Sequence, residues 1–155
     1  LLDESLAALD RGFAQFRAGW FSSLHERLNP SIEERITRQD RYLRLLANEI
    51  PPTVSFALTA VAEIDKEHPL DGTVFTEALR PVLKVSQKGT VKTALKLLEK
   101  IAKREPNVAP AVARVAADAL IHAASDVQES ALKLISFTGS TTDAELLDAV
   151  TKAQE

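Results

Sequence analysis

The words Ala94-Leu95-Lys96-Leu97-Leu98 and Ala131-Leu132-Lys133-Leu134-Ile135 stand 37 residues apart and differ only in their last residue. The same step carries Thr53-Val54 onto Thr90-Val91, Ala57-Leu58 onto Ala94-Leu95, Val61 onto Leu98 and Ile64 onto Ile101. A second set obeys the same ruler: Tyr42, Leu45 and Leu46 map onto Leu79, Val82 and Leu83, and these onto Ala116, Ala119 and Leu120. One step backwards, Ala57, Leu58 and Val61 land on the aromatic-rich Trp20, Phe21 and Leu24. A fixed period in this range is the signature of a repeat built from one supersecondary unit.

The unit is helical. Within each copy the apolar residues recur every three or four, as in Val54, Ala57, Leu58, Val61, Ile64 and in Val91, Ala94, Leu95, Leu98, Ile101, the stripe of an amphipathic helix. Breakers fall at Pro30, Pro51-Pro52, Pro69, Gly72, Gly89, Pro106 and Gly139, mostly a helix length apart. Ser31 with Glu34, Ser125 with Gln128 and Thr142 with Glu145 have capping-box spacing, and Thr53, Thr90 and Asn107 read as simple N-caps. With 23 Ala and 21 Leu against eight aromatics and five Gly, the composition favours helix and disfavours strand.

These signals predict one all-α domain over 1–155, with helical hairpins at about 13–49, 53–86, 90–123 and 126–154 and an extra helix 2–10 carrying Leu2, Leu6 and Leu9 on one side. A hairpin of two amphipathic helices cannot bury both apolar faces alone, so identical hairpins stack into a solenoid; the expected architecture is a right-handed α-solenoid. The alternative is a globular helical bundle in which the duplication no longer forms a superhelix. Pro81, inside a predicted helix 71–86, is expected to free the Glu77 carbonyl and kink that helix.

The Val-x-x-Ala-Leu-x-x-Leu first helix, capped by Thr or Asp after a Pro or Gly, resembles HEAT or armadillo-type repeats over about residues 13–138. The stretch from Arg35 to Ile50, with Arg38-Gln39-Asp40-Arg41-Tyr42-Leu43, is similar to a bacterial family of large HEAT-like proteins. The resemblance implies the solenoid fold and no activity.

Several chemistries lack their residues. With no cysteine there is no thiolate nucleophile, disulfide or thiolate metal site. His25, His68 and His122 fall in three different copies without a second ligand at helical spacing. His68 precedes Pro69 and reads as an exposed turn residue, and His122, near a helix end, as a charge suiting the dipole. No G-x-S-x-G elbow exists, and Lys88-Gly89-Thr90 lacks the upstream glycine of a phosphate loop. Neither an enzyme nor a cofactor is expected. The small-apolar stretch 109–124 contains Arg114, Asp118 and His122, so no membrane span is expected. Residues 1–20 carry Asp3, Glu4 and Asp10 where an export signal would be basic and then apolar, and a cytoplasmic location follows as an expectation. Because the chain opens on Leu1, a piece of a longer or processed chain is expected.

Three surfaces remain as candidates. The predicted second helices carry Asp40, Arg44, Glu77, Arg80, Arg114, Asp118 and His122, a mixed-charge ridge suited to a polar protein partner. Lys88, Lys92, Lys96, Lys100 and Arg104 recur every four residues, a basic stripe confined to one copy, which suits either solvation or phosphate. Phe13, Phe16 and Trp20 cluster near the N-terminus, either as core packed on helix 2–10 or as a docking edge for a preceding repeat or a partner. Helix 141–154, polar around Leu146, Leu147 and Val150, reads as a C-terminal cap. The expected function is a non-catalytic protein-binding or scaffold module, its partner another protein or adjacent repeats of the same chain; the alternative is a nucleic-acid-binding solenoid using the lysine stripe.

Overall fold

The computed structural model describes residues 1–11 and 15–138. Among them lie nine α-helices and three 3-10 stretches, with no strand. In chain order they are α1 Leu2–Asp10, α2 Gln15–Arg27, α3 Ile32–Thr37, α4 Gln39–Leu45, α5 Pro51–Glu67, α6 Gly72–Leu79, η1 Arg80–Lys84, α7 Lys88–Arg104, η2 Pro106–Val108, α8 Ala109–Ala116, η3 Ala117–Ile121 and α9 Ser125–Thr138. Predicted helix 141–154, with the Thr142 and Glu145 cap, lies outside the described residues.

The 37-residue ruler reappears in the element bounds. Shifted by that step, α5 becomes Lys88–Arg104, which is α7; α6 with η1 becomes 109–121, which is α8 with η3; and α7 begins one step before Ser125, where α9 begins. The buried positions follow. Tyr42, Leu45, Leu46, Leu79, Val82, Leu83, Ala116, Ala119 and Leu120 are all buried, and α1 supplies a fourth copy in Ser5, Ala8 and Leu9. Helix 2–10 is therefore an element of the repeat, equivalent to α4, and not a leftover. On the first helices Ala57, Ala94 and Ala131 are fully buried. The copies differ at Leu132, which is 42% exposed although Leu95 is buried.

The chain divides into two compact units, Leu1–Leu70 and Asp71–Glu155, so the division falls inside the predicted hairpin 53–86. In the first unit α1 packs on α2 and α4, while α5 packs on α2, α3 and α4. In the second, α7 packs on α6, η1, α8 and α9, and α9 also packs on α8 and η3. Each unit shows the same rule: α1 touches α4 and α2 touches α5, and likewise α6 touches α8, η1 touches η3 and α7 touches α9. Every one of these pairs is separated by about one period.

Helix ends show where local chemistry agreed with the spacing. Ser31 accepts from the Glu34 N–H at 3.2 Å and the Glu34 carboxylate accepts from the Ser31 N–H at 2.8 Å, a complete capping box. Asn29, at φ 48°, takes the left-handed conformation that ends α2 just before Pro30. Other caps differ. Pro51 and Pro52 start α5 at its first turn, where a missing N–H costs nothing, so Thr53 is buried inside the helix and does not cap it. Gln87 takes the N-cap position of α7, leaving Thr90 within the helix, and Asn107 lies within η2. Gln128 donates to the His122 carbonyl at 2.6 Å, which takes it out of a box with Ser125.

Pro81 also acts otherwise than expected. The α-helix ends at Leu79, and the Arg80 N–H donates to the Glu77 carbonyl, so that carbonyl is satisfied by a tighter turn. One period later Asp118 stands in place of Pro81, yet η3 begins at the equivalent residue, Ala117. The tightening belongs to the repeat, and proline is merely compatible with it.

If the ruler is structural, Ala94→Leu should overpack a closed position and destabilise by about 1–3 kcal/mol, whereas Lys96→Leu on the exposed face should stay within about 0.5 kcal/mol. Urea melts of the two variants check this; equal losses would refute the register.

Candidate interaction surfaces and a buried polar chain

Repetition places charged side chains one period apart on touching elements, and they pair there. Asp118 on η3 faces Arg80 and Lys84 on η1, at 2.9 and 3.8 Å. Asp126 on α9 faces Lys88 and Lys92 on α7, at 3.4 and 2.5 Å. In both cases two cations one helical turn apart clasp one carboxylate on the next copy. The first unit uses the reverse polarity, with Asp3 of α1 held by Arg38 at 2.9 Å and by Arg41 at 3.9 Å, and Asp10 held by Arg44 at 3.6 Å. The Lys92 and Lys88 ammonium groups hold the Asp126 carboxyl down to about 2. Exposed pairs of this kind add little stability singly; their consequence is registration of one copy on the next.

These pairs bear on each candidate surface. In the second unit, Arg80 and Asp118 are bonded to each other, Glu77 lies 3.9 Å from Arg80, and Arg114 is exposed. The His122 ring is turned inward: its Nδ1 accepts the Ala124 N–H at 3.0 Å and closes the turn before α9, and its Nε2 is buried. In the first unit Asp40 and Arg44 are both exposed on α4. Along the basic stripe Lys88 and Lys92 are committed to Asp126, and Arg104 lies 3.5 Å from Glu105; Lys96 and Lys100 are exposed.

Trp20 is 60% exposed, its ring edge-on to Phe21 at 5.0 Å. It stands one period before Ala57, which is fully buried, so the reading of Trp20 as core packing is corrected. The reason lies in order along the chain: α2 packs on Ala57's helix one period later, but among the described elements no first helix precedes α2. Phe13 and the side chain of Phe16 lie outside the described residues.

A buried polar chain in the first unit leaves no trace in the residue spacing. The Ser5 hydroxyl donates to the Leu2 carbonyl at 2.8 Å and lies 2.8 Å from His25 Nδ1, while His25 Nε2 lies 2.5 Å from the Tyr42 hydroxyl. Because the Ser5 proton is already used, His25 donates through Nδ1 and accepts the Tyr42 proton at Nε2. Phe56 closes the site, its ring edge-on to His25 at 5.4 Å. Ser5, His25 and Tyr42 are all buried, and Ser5 and Tyr42 are one period apart, so His25 joins equivalent places on α1 and α4. Tyr42 was the available signal, since a tyrosine where other copies carry Leu79 and Ala116 requires a partner for its hydroxyl. With its hydroxyl donated to backbone and buried, Ser5 is not placed as a nucleophile. His68, exposed at the end of α5, lies as expected.

Among the described residues no group of three or more His, Cys, Asp and Glu is placed to hold a metal ion, and no helix is long and apolar enough to cross a membrane. The class so defined is an all-helical protein of period-spaced elements joined by ion pairs. Over residues 1–104, up to the end of α7, the chain matches the family described as Domain of unknown function (DUF6493), and it belongs to that family. No curated protein and no solved structure matches it.

Burial, then Arg35 and Arg38, hold the His25 imidazole down to about 4 from its ordinary 6.5. Between those values the unfolded chain binds more protons than the folded one, so this contribution to stability is complete above about pH 6.5 and lost as pH falls towards 4. Urea midpoints should therefore drop over that window by the equivalent of about 3 kcal/mol, and His25→Gln should flatten the window where His68→Gln does not. Tyr42→Phe, which leaves His25 Nε2 without its donor, should cost about 1–3 kcal/mol at pH 7.

Proposed function

We propose that this chain is a non-catalytic, HEAT-like α-solenoid segment that binds another protein or forms a scaffold within a larger protein, in the cytoplasm. The observation that carries the reading is that elements one period apart touch each other within each unit, α1 with α4 and α2 with α5, α7 with α9 and η1 with η3. Stacking of like on like is how hairpins that cannot close their own cores form a quasi-one-dimensional array. Such an array presents second-helix faces as a continuous polar ridge, and the exposed Glu77 and Arg114 and the exposed Asp40 and Arg44 supply, in their separate units, the mixed charge that selects a protein partner by complementarity. The nucleic-acid reading loses ground because Asp126 occupies Lys88 and Lys92 and the stripe is confined to α7.

Three measurements test this. Excision of residues 88–124, one full period, should leave a monomeric chain that still melts cooperatively at a lower midpoint; a globular bundle would lose its cooperative transition. Duplex DNA should bind without a steep salt dependence, whereas five engaged cations would give a log–log slope of about −4.5. A protein captured by the wild-type chain and lost from the double variant Glu77→Lys, Arg114→Glu would locate the ridge, and capture by neither would refute a partner there.

A further inference from the structure

Between α7 and α9, within the second unit, runs an open groove of about 420 Å³. Its floor is apolar, formed by Leu95, Leu134 and Phe137. Phe137 is 55% exposed and stands one period after Lys100, at a place where the equivalent helix carries a charge. Lysines form the rim on both walls, Lys92 and Lys96 from α7 and Lys133 from α9. The one acid in the lining, Glu99, is held at 2.8 Å by Lys103, whose ammonium in turn lies 5.5 Å from the centre of the Phe137 ring.

The lysines already show what they accept. Lys92 takes the Asp126 carboxylate and Lys133 takes Glu129 at 3.2 Å, while Lys96 has no ion-pair partner among the described residues. An apolar trough between two helices, flanked by ammonium groups, is complementary to one kind of segment: an amphipathic helix with a leucine-type stripe and carboxylates beside it. Such a helix places apolar side chains on the floor and its acids within reach of Lys96 and of Lys133, which can exchange Glu129 for another carboxylate at little cost because that pair is exposed. Nucleic acid fits less well, since its bases would meet a floor that is mostly aliphatic.

Resting on the protein-binding reading above, we infer that the α7–α9 groove is a docking site for an acidic amphipathic helix of a partner protein. The probe is a fluorescein-labelled peptide of about 16 residues with leucines at i, i+3, i+4 and i+7 and glutamates on the flanks, titrated with the full chain and followed by anisotropy. Saturable binding is expected, weakened at least about tenfold by Lys96→Glu with Lys133→Glu and by Phe137→Ala, with urea midpoints unchanged. Both lysines and Phe137 are exposed, so folding should survive; should a midpoint fall, Lys96→Gln with Lys133→Gln replaces the reversal and must still weaken binding. The proposal is overturned if the glutamate peptide does not bind, if a peptide with lysine flanks binds equally, if the variants bind as the wild type does, or if an oligothymidylate displaces the peptide at lower concentration. Failure here with a cooperative melt after excision of 88–124 would remove this groove and leave the solenoid module standing.

Discussion

Two amphipathic helices joined by a short turn have an apolar stripe each and only one another to cover them, and the rest of this structure follows from that shortage of cover. Within each unit, elements one period apart cover one another. Ala57, Ala94 and Ala131, one period apart on their helices, are fully buried and leave no space for a larger side chain without repacking. Larger side chains would have to leave their rotamers or push the helices apart. Second helices meet the same demand with larger residues, from Tyr42 and Leu79 down to Ala116.

Apolar burial holds the copies together but is non-directional, and the polar groups supply the missing direction. Asp118 and Asp126 each accept two cations from the preceding copy, spaced one helical turn apart, so sliding either element by a turn would break the clasp. The first unit adds a buried version. Its Ser5–His25–Tyr42 chain is satisfied end to end, and in a low-dielectric core a partly satisfied chain would cost more than an apolar one. The depressed His25 makes the first unit's packing acid-sensitive.

Function, in this reading, is assigned to surfaces that the repeat leaves over. Charges inside clasps are spent on registration, which removes Lys88, Lys92, Arg80 and Asp118 from any simple count of available charge. What remains is irregular: Trp20 on α2 and Phe137 on α9. Each breaks the pattern of its copy, and a departure from a repeat that serves no packing need is where a partner can be recognised.

The sequence alone determined the all-helical class, the 37-residue period and the buried apolar stripes of α5 and α7, because periodic burial is written in the spacing of apolar residues. It also predicted the Ser31 capping box and the exposed His68, both of which depend on neighbours within a few residues. Only the tertiary structure decided the rest. Trp20 is exposed where its equivalent Ala57 is buried, since burial depends on which element lies opposite and not on the residue itself. The helix tightens to a 3-10 turn at Arg80, before Pro81, and equally at Ala117, where no proline follows. Thr53 lost its cap role to Pro51, and Ser5, His25 and Tyr42, distant along the chain, became one hydrogen-bonded unit. Long-range pairing of this kind carries no local pattern, because a hydrogen bond between α1, α2 and α4 is set by the way the helices pack and by nothing in the residues adjacent to either partner.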